Sequence, residues 1–166
     1  RSVMRLIPLR IWLLTTLSAL LQVLPFPLAG PVPSWRTAFA WIALCPLLAA
    51  LLGNDKSGRP LTLLQSAAVG YLSGFLLYLG NCYWIYQTMY LYGGLARPVA
   101  VGILVLFGLY LGLYHALFGF LLGVLRRSRP GVRGALLLSP FVWVAVELAR
   151  THVTGLPLDL LAITQV

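Results

Sequence analysis

The chain has 166 residues, of which 60% are hydrophobic and only 9% are charged, and its mean hydropathy is +0.92. Soluble domains carry about a quarter of their residues as Asp, Glu, Lys or Arg, so this composition excludes an ordinary water-soluble globule. The net charge of +9 does not indicate nucleic-acid binding, because the basic residues form short clusters between long apolar runs where no continuous polar face can form.

These features predict an all-α fold, a polytopic bundle of about five transmembrane helices. The first apolar run, residues 6–24, follows Arg1 and Arg5 and ends at a Pro-Phe-Pro break. A cleaved signal peptide is an alternative, but no small-x-small site closes the run, so we expect a retained helix. The other predicted segments are residues 38–52, 64–86, 99–125 and 135–151.

The second segment is short and contains Pro46, which favours a tilted, half-length or re-entrant structure. An aqueous linker of turn formers and charges, residues 53–60, follows it. The third segment ends in a belt of aromatic residues of the kind found at headgroup level, and Gly93 and Gly94 then predict a turn. The belt consists of Tyr83, Trp84, Tyr86, Tyr90 and Tyr92.

The basic residues predict the orientation of the bundle. If all five segments cross, nine of the twelve Lys and Arg residues lie on one side, in the N-terminal arm, the linker 53–60 and the connection after the fourth segment. Arg36, Arg97 and Arg150 lie on the other side. By the positive-inside rule the N-terminus is cytoplasmic, and the aromatic belt faces outward.

Small residues predict close helix packing. Gly70 and Gly74 form a GxxxG pair on the third segment. On the fourth segment, a stripe of five residues lies within about 80° of helix surface. We interpret the stripe as a packing groove for a neighbouring helix, and a groove for a lipid chain is the alternative. Its members are Gly108, Gly112, His115, Gly119 and Gly123.

Ionisable residues inside membrane segments are costly, so each requires a reason. Glu147 precedes Arg150 by three residues, which places both on one helix face and predicts an ion pair. Two interpretations of the pair are open. In the first, the pair only lowers the cost of burying its two charges. In the second, it holds a substrate headgroup or anchors an extramembrane domain. His115 is interpreted as a neutral histidine bonded to a neighbouring helix, with proton handling as the alternative. Asn81 and Gln87 are candidates for interhelical hydrogen bonds.

The two cysteines, Cys45 and Cys82, both fall in apolar runs and are predicted to be small buried hydrophobes. No Cys-x-x-Cys pair or His-rich tract is present, so we predict neither a metal site nor a cofactor. No Ser-His-Asp, Cys-His or paired-carboxylate pattern is visible either, so the residues alone predict that this chain binds or positions something without catalysing.

Several stretches resemble the bacterial apolipoprotein N-acyltransferases. They are residues 41–48, 70–75, 81–86, 92–94 and 139–150, followed by 154–157 and Gln165. The family there reads approximately P-x-x-W-x-x-x-E-x-x-R, then T-G-F-P-W and a G-x-x-Q ending. Leu156, Leu158 and Ala162 depart from that pattern in the loop after the fifth segment, although the ordered series of motifs covers nearly the whole chain.

The resemblance implies an enzyme that takes an acyl chain from a phospholipid through a cysteine thioester. The enzyme then transfers the chain to the N-terminal diacylglyceryl cysteine of an apolipoprotein. In the family a Glu-Lys-Cys triad in a nitrilase-like domain does the chemistry, so no catalytic residue is assigned within residues 1–166. The chain is expected to be the N-terminal transmembrane part of a longer enzyme in the bacterial inner membrane, inactive alone, with its functional face periplasmic.

The partners implied by the resemblance are the phospholipid acyl donor, the diacylglyceryl apolipoprotein and membrane lipids. Candidates for holding a headgroup or anchoring the catalytic domain are Tyr83, Trp84, Glu147, Arg150 and Gln165. Two other classes of function remain open on the residues: a small transporter or channel component with His115, Glu147 and the glycine grooves along a pathway, and a membrane scaffold without chemistry.

Overall fold

The computed structural model describes residues 7–26, 34–128 and 131–155, and this part of the chain is helical with no β-strand. The predicted all-α fold is therefore confirmed. A π-helical turn, Thr88–Tyr92, lies between α6 and α7. The helices are α1 Leu9–Val23, α2 Ser34–Thr37, α3 Phe39–Ile42, α4 Cys45–Leu51, α5 Leu63–Asn81, α6 Tyr83–Gln87, α7 Arg97–Arg127 and α8 Gly131–Thr154.

Within the described residues, three helices are long and apolar enough to cross a membrane, namely α5, α7 and α8, with 19, 31 and 24 residues. At 1.5 Å per residue they extend about 28, 46 and 36 Å, against a hydrocarbon core of about 30 Å. Two shorter apolar helical stretches, Leu9–Val23 and Trp35–Leu51, correspond to the first two predicted segments. The molecule is thus a helical membrane bundle.

The second segment runs antiparallel to α1 over the whole length of that helix. At one end Arg36 Nε donates to the Leu24 carbonyl at 2.8 Å, and in the middle Ser18 Oγ donates to the Ala43 carbonyl at 2.6 Å. At the other end Arg10 donates to the Asn54 carbonyl at 3.3 Å. The segment therefore returns the chain to the end where α1 begins, which favours a complete passage over a re-entrant turn.

Two breaks interrupt the predicted segments. The passage of residues 35–51 consists of short helices, and Pro46 lies in the first turn of α4, where its missing N–H costs no helical hydrogen bond. The segment predicted at 64–86 is two helices, because the backbone of Cys82 leaves helical geometry at φ −91° and ψ 14°. At its other end α5 begins with a reciprocal capping box between Thr62 and Gln65.

The closest helix contact joins α5 to α7 along their glycines. A Cβ atom on Gly74 would lie 2.6 Å from the Cβ of His115, and one on Gly70 would overlap the His115 carbonyl oxygen. From the other helix, a Cβ on Gly119 would overlap the Ser66 carbonyl oxygen. Only glycine permits this backbone approach. Helix α5 fills the groove along α7, so no room is left there for a lipid chain.

Apolar side chains fill the interior and also cover the outside. One buried cluster centres on Leu47 and Phe118, and a second, near the C-terminal end of α5, centres on Leu77 and Leu111. Large apolar side chains on α5, α7 and α8 are also exposed, as expected for helix faces in lipid.

The connections separate into two ends of the bundle. Arg10 and Arg126 both contact Asn54, so the start of α1, the linker 53–60 and the end of α7 meet at one end. Arg36 and Arg150 belong to the opposite end. Successive connections thus alternate between the two ends, as was assumed when the basic residues on each side were counted. Which end is cytoplasmic stays a prediction.

Candidate functional site

The ion pair predicted from sequence spacing is present and buried in α8. Arg150 Nη2 lies 2.7 Å and its Nε 3.3 Å from Glu147 Oε2. Arg150 is 1% exposed and Glu147 7% exposed. Because the two charges neutralise each other within one helical turn, the pair can be held in an apolar bundle at far lower cost than either charge alone.

Aromatic rings connect this pair to the centre of the bundle. The guanidinium carbon of Arg150 lies 5.9 Å from the centroid of the Tyr78 ring on α5. The imidazole of His115 packs edge-on against Tyr78, with centroids 5.6 Å apart, and against Trp143 at 5.1 Å. Three helices, α5, α7 and α8, therefore meet at Tyr78, His115 and Trp143.

A buried chain of polar side chains continues from His115 into α1. His115 Nε2 lies 3.4 Å from Gln22 Oε1, which can only accept, so Nε2 is the donor. Gln22 Nε2 in turn donates to Ser18 Oγ at 3.1 Å and to Ser73 Oγ at 3.4 Å. The interhelical bond expected for His115 is therefore found, with α1 as the partner helix.

Asn81 does not share this pattern of satisfied polar groups. It lies at the end of α5, one turn beyond Tyr78, and is 8% exposed. Within the described part of the chain neither its Nδ2 nor its Oδ1 has a hydrogen-bond partner. The interhelical bond expected of Asn81 is therefore not found there. Leaving a buried amide unpaired costs about 1–3 kcal/mol, so this position is a strained point of the site.

An aromatic ladder lies just beyond Asn81 at the same end of α5. The ring centroids of Tyr83 and Tyr86 are 5.5 Å apart, and those of Tyr86 and Tyr90 are 5.9 Å apart. The Arg97 guanidinium lies 5.1 Å above the Tyr90 ring. Stacked tyrosines capped by a cation suit the boundary between hydrocarbon and headgroups.

The structure places the sequence-predicted site residues in two layers. Glu147 and Arg150 lie inside, next to Tyr78, whereas Tyr83 and Trp84 are 47% and 49% exposed on α6. The predicted Gln165 lies outside the described residues, as do Leu156, Leu158 and Ala162. The glycines of the stripe lie at the α5–α7 contact with His115 among them.

Several residues that build the site are absent from the sequence predictions. Part of the site could have been identified from a polar pattern in the first segment, since Thr15, Ser18 and Gln22 recur at helical spacing and are all buried. Tyr78 carried no such signal, because an aromatic residue in an apolar run is ordinarily core or lipid-facing. Trp143 was marked only as the tryptophan of the family pattern P-x-x-W-x-x-x-E-x-x-R.

One cysteine prediction is wrong. Cys82 is buried in the second apolar cluster as expected, but Cys45 is exposed at the first position of α4. A thiol is apolar enough to face lipid, so burial in protein was not required. Among the described residues no group of three His, Cys, Asp or Glu side chains could hold a metal ion.

Known proteins resemble this chain over almost its full length. The family model described as apolipoprotein N-acyltransferase N-terminal domain matches residues 18–166. An apolipoprotein N-acyltransferase from Geobacter metallireducens is 37% identical over 161 residues, which are 96% of this chain and 28% of that protein. Proteins of the same name from Shewanella oneidensis and Ralstonia nicotianae are 34% and 32% identical over 85% of this chain, or 27% and 26% of theirs. The chain thus spans about a quarter of these relatives' length.

Proposed function

Because this chain belongs to the apolipoprotein N-acyltransferase family, we propose that it forms the membrane-embedded part of an enzyme that moves an acyl chain from a phospholipid to the N-terminal diacylglyceryl cysteine of a lipoprotein. Its partners are the phospholipid donor, the lipoprotein acceptor and the surrounding membrane lipids. The enzyme resides in the bacterial inner membrane, with the aromatic ladder at the periplasmic surface.

The observation that carries this proposal is the buried Glu147–Arg150 pair beneath the aromatic end of the bundle. The pair is held rigidly by Tyr78, and Tyr78 by His115, so its position is fixed relative to the ladder. A fixed polar pair inside this end of the bundle can hold in place the surface against which a lipid substrate or a catalytic domain is seated.

The acyl-carrying thiol is assigned to the part of the relatives' length that this chain does not cover. A thioester is made by a thiolate, which forms beside a base or a positive charge and is disfavoured in apolar surroundings. Cys82 lies in an apolar cluster, and Cys45 is on the exposed surface of a helix in lipid. Residues 1–166 therefore contribute binding and support.

The family assignment favours this function over the transporter and scaffold alternatives. The test is an acylation assay on the full-length protein in lipid vesicles, with a labelled phospholipid and a diacylglyceryl cysteine peptide. We expect label on the enzyme in a hydroxylamine-sensitive thioester, followed by label on the peptide amine. A protein that is folded and reconstituted yet forms neither product would contradict the proposal.

A further inference from the structure

Three arginines converge on the linker at the end of the bundle opposite to the aromatic ladder. Arg10 Nη2 lies 3.3 Å from the Asn54 carbonyl, and Arg126 Nη2 lies 2.6 Å from Asn54 Oδ1. Arg126 also donates to the carbonyls of Leu51 and Gly53, and Arg127 to that of Leu61. Two guanidinium groups from different helices thus contact the same asparagine, with a third on the next residue of α7.

Among the described residues of the linker, positive charge exceeds negative charge. Among residues 7–26, 34–128 and 131–155, none of the three guanidiniums pairs with a carboxylate. The one acid of the linker, Asp55, turns its Oδ1 to the backbone N–H groups of Ser57 and Arg59, at 2.7 and 3.0 Å. The exposed Lys56 and Arg59 add further positive charge to the same linker.

Like charges on neighbouring side chains repel each other, and an anion beside them lowers that repulsion. Arg126 is held by three oxygens of residues 51–54, whereas Arg10 and Arg127 are exposed and are the guanidiniums that an anion from outside can reach. The helices that end here are apolar and the chain is a membrane bundle, so this end lies at the level of lipid headgroups. The nearest abundant anion at that level is a phospholipid phosphate.

We propose that this basic end, formed by Arg10, Arg126, Arg127 and the linker, binds the headgroup of an anionic phospholipid. The acyl chains of that lipid lie against the apolar side chains that flank the site. Leu9 and Leu13 on α1 are 70% and 61% exposed, and Leu64 at the start of α5 is 80% exposed. The bound lipid neutralises the guanidiniums and holds α1, α7 and the linker together.

This site is independent of the acyltransferase proposal. It lies at the other end of the bundle from Glu147, Arg150 and the ladder, and its test measures lipid binding without any acyl transfer. A negative result for one proposal therefore does not contradict the other.

The test is native mass spectrometry of the full-length protein with phosphatidylglycerol or phosphatidylcholine, giving the dissociation constant of the first bound lipid. We expect the wild type to prefer phosphatidylglycerol, and we expect that preference to fall with rising salt. The R10Q/R127Q variant should lose affinity for phosphatidylglycerol by about fivefold for each removed charge. R97Q removes one charge at the opposite end, in the ladder, and should leave the ratio of the phosphatidylglycerol and phosphatidylcholine dissociation constants unchanged.

Because the functional end is also proposed to seat a phospholipid, the wild-type preference must fall in the arginine variants, and R127Q alone, at an exposed position, is measured if R10Q/R127Q does not fold. Equal affinity for the two lipids, or a preference that salt does not weaken, overturns the proposal. An R97Q protein that loses as much affinity per charge as R10Q/R127Q also overturns it, because the effect would then report net charge rather than a site. R10K/R127K keeps the charges and should retain most of the preference.

Discussion

Arg150 on α8 places its guanidinium carbon 5.9 Å above the ring of Tyr78 on α5 while it donates two hydrogen bonds to Glu147 in its own helix. The arginine is therefore fixed from two directions, by a carboxylate and by a ring of a second helix. Tyr78 is in turn fixed by the imidazole of His115 on α7. The charge at the proposed functional end thus depends on packing at the centre of the bundle.

Removing one member of the ion pair should have a different effect from removing both. In the full-length protein, Arg150→Ala or Glu147→Ala strands a buried charge and should destabilise the fold by about 3–5 kcal/mol. E147Q/R150M leaves no charge and should remain folded. We expect all three to lose acylation, measured beside membrane protein levels. Wild-type rates with normal levels in both single variants would remove the pair from the site.

The hydrogen bond between His115 and Gln22 should couple α7 to α1. Gln22→Leu leaves the His115 donor unpaired and should cost about 1–3 kcal/mol in the free energy of unfolding. Combined with His115→Leu, the loss should be less than additive, which a double-mutant cycle in mixed micelles measures. Thr16→Ala is the matched control, because the Thr16 hydroxyl bonds only within α1, to the Trp12 carbonyl. Additive losses would show that the two residues do not interact.

The glycine contact should be position-specific. Gly70→Ala places a methyl group against the backbone of His115, which cannot move without separating α5 from α7, and should destabilise the protein by 1–3 kcal/mol or more, roughly the cost of overpacking a core. Gly102→Ala on α7 is the control, since a Cβ there meets no atom within 4 Å. It should be neutral or stabilising by up to about 1 kcal/mol through helix propensity. Equal effects of the two substitutions would contradict the packing described.

Contacts between residues close in the sequence could be predicted from their spacing, whereas contacts between residues far apart in the sequence could not. The Glu147–Arg150 pair follows from three residues of separation on one helix, and the proximity of α5 and α7 from their glycines. The partner of His115 could not be predicted, because Gln22 lies 93 positions away in the sequence. Periodicity marks which face of each helix is buried, but the choice of neighbour depends on the packing of all the helices together.

The positions at which the helices break could not be predicted from the sequence either. The aromatic and apolar residues that follow Cys82 continue the apolar run, although the backbone leaves the helix at Cys82. Cys45 shows a related limit, since lipid and the protein interior are similarly apolar and no hydrophobic effect favours burying an apolar residue in protein. In a membrane, hydrophobicity predicts depth and does not distinguish the lipid-facing surface from the interior.

Asn81 provides a test that separates folding from function. Its amide is buried and unpaired within the described chain, so Asn81→Leu, which keeps the approximate volume, should raise the free energy of unfolding by about 1–3 kcal/mol. A residue retained at such a cost beneath the aromatic ladder should serve the bound substrate, so we expect the stabilised variant to acylate more slowly. Full activity with higher stability would show that the amide has no role in the reaction. A loss of stability would show instead that Asn81 has a partner in the folded enzyme. Thermal unfolding and acylation of the same reconstituted sample distinguish these outcomes. Leu79→Ala, at a partly buried position of the same helix that packs against the second apolar cluster, serves as the control for altered packing.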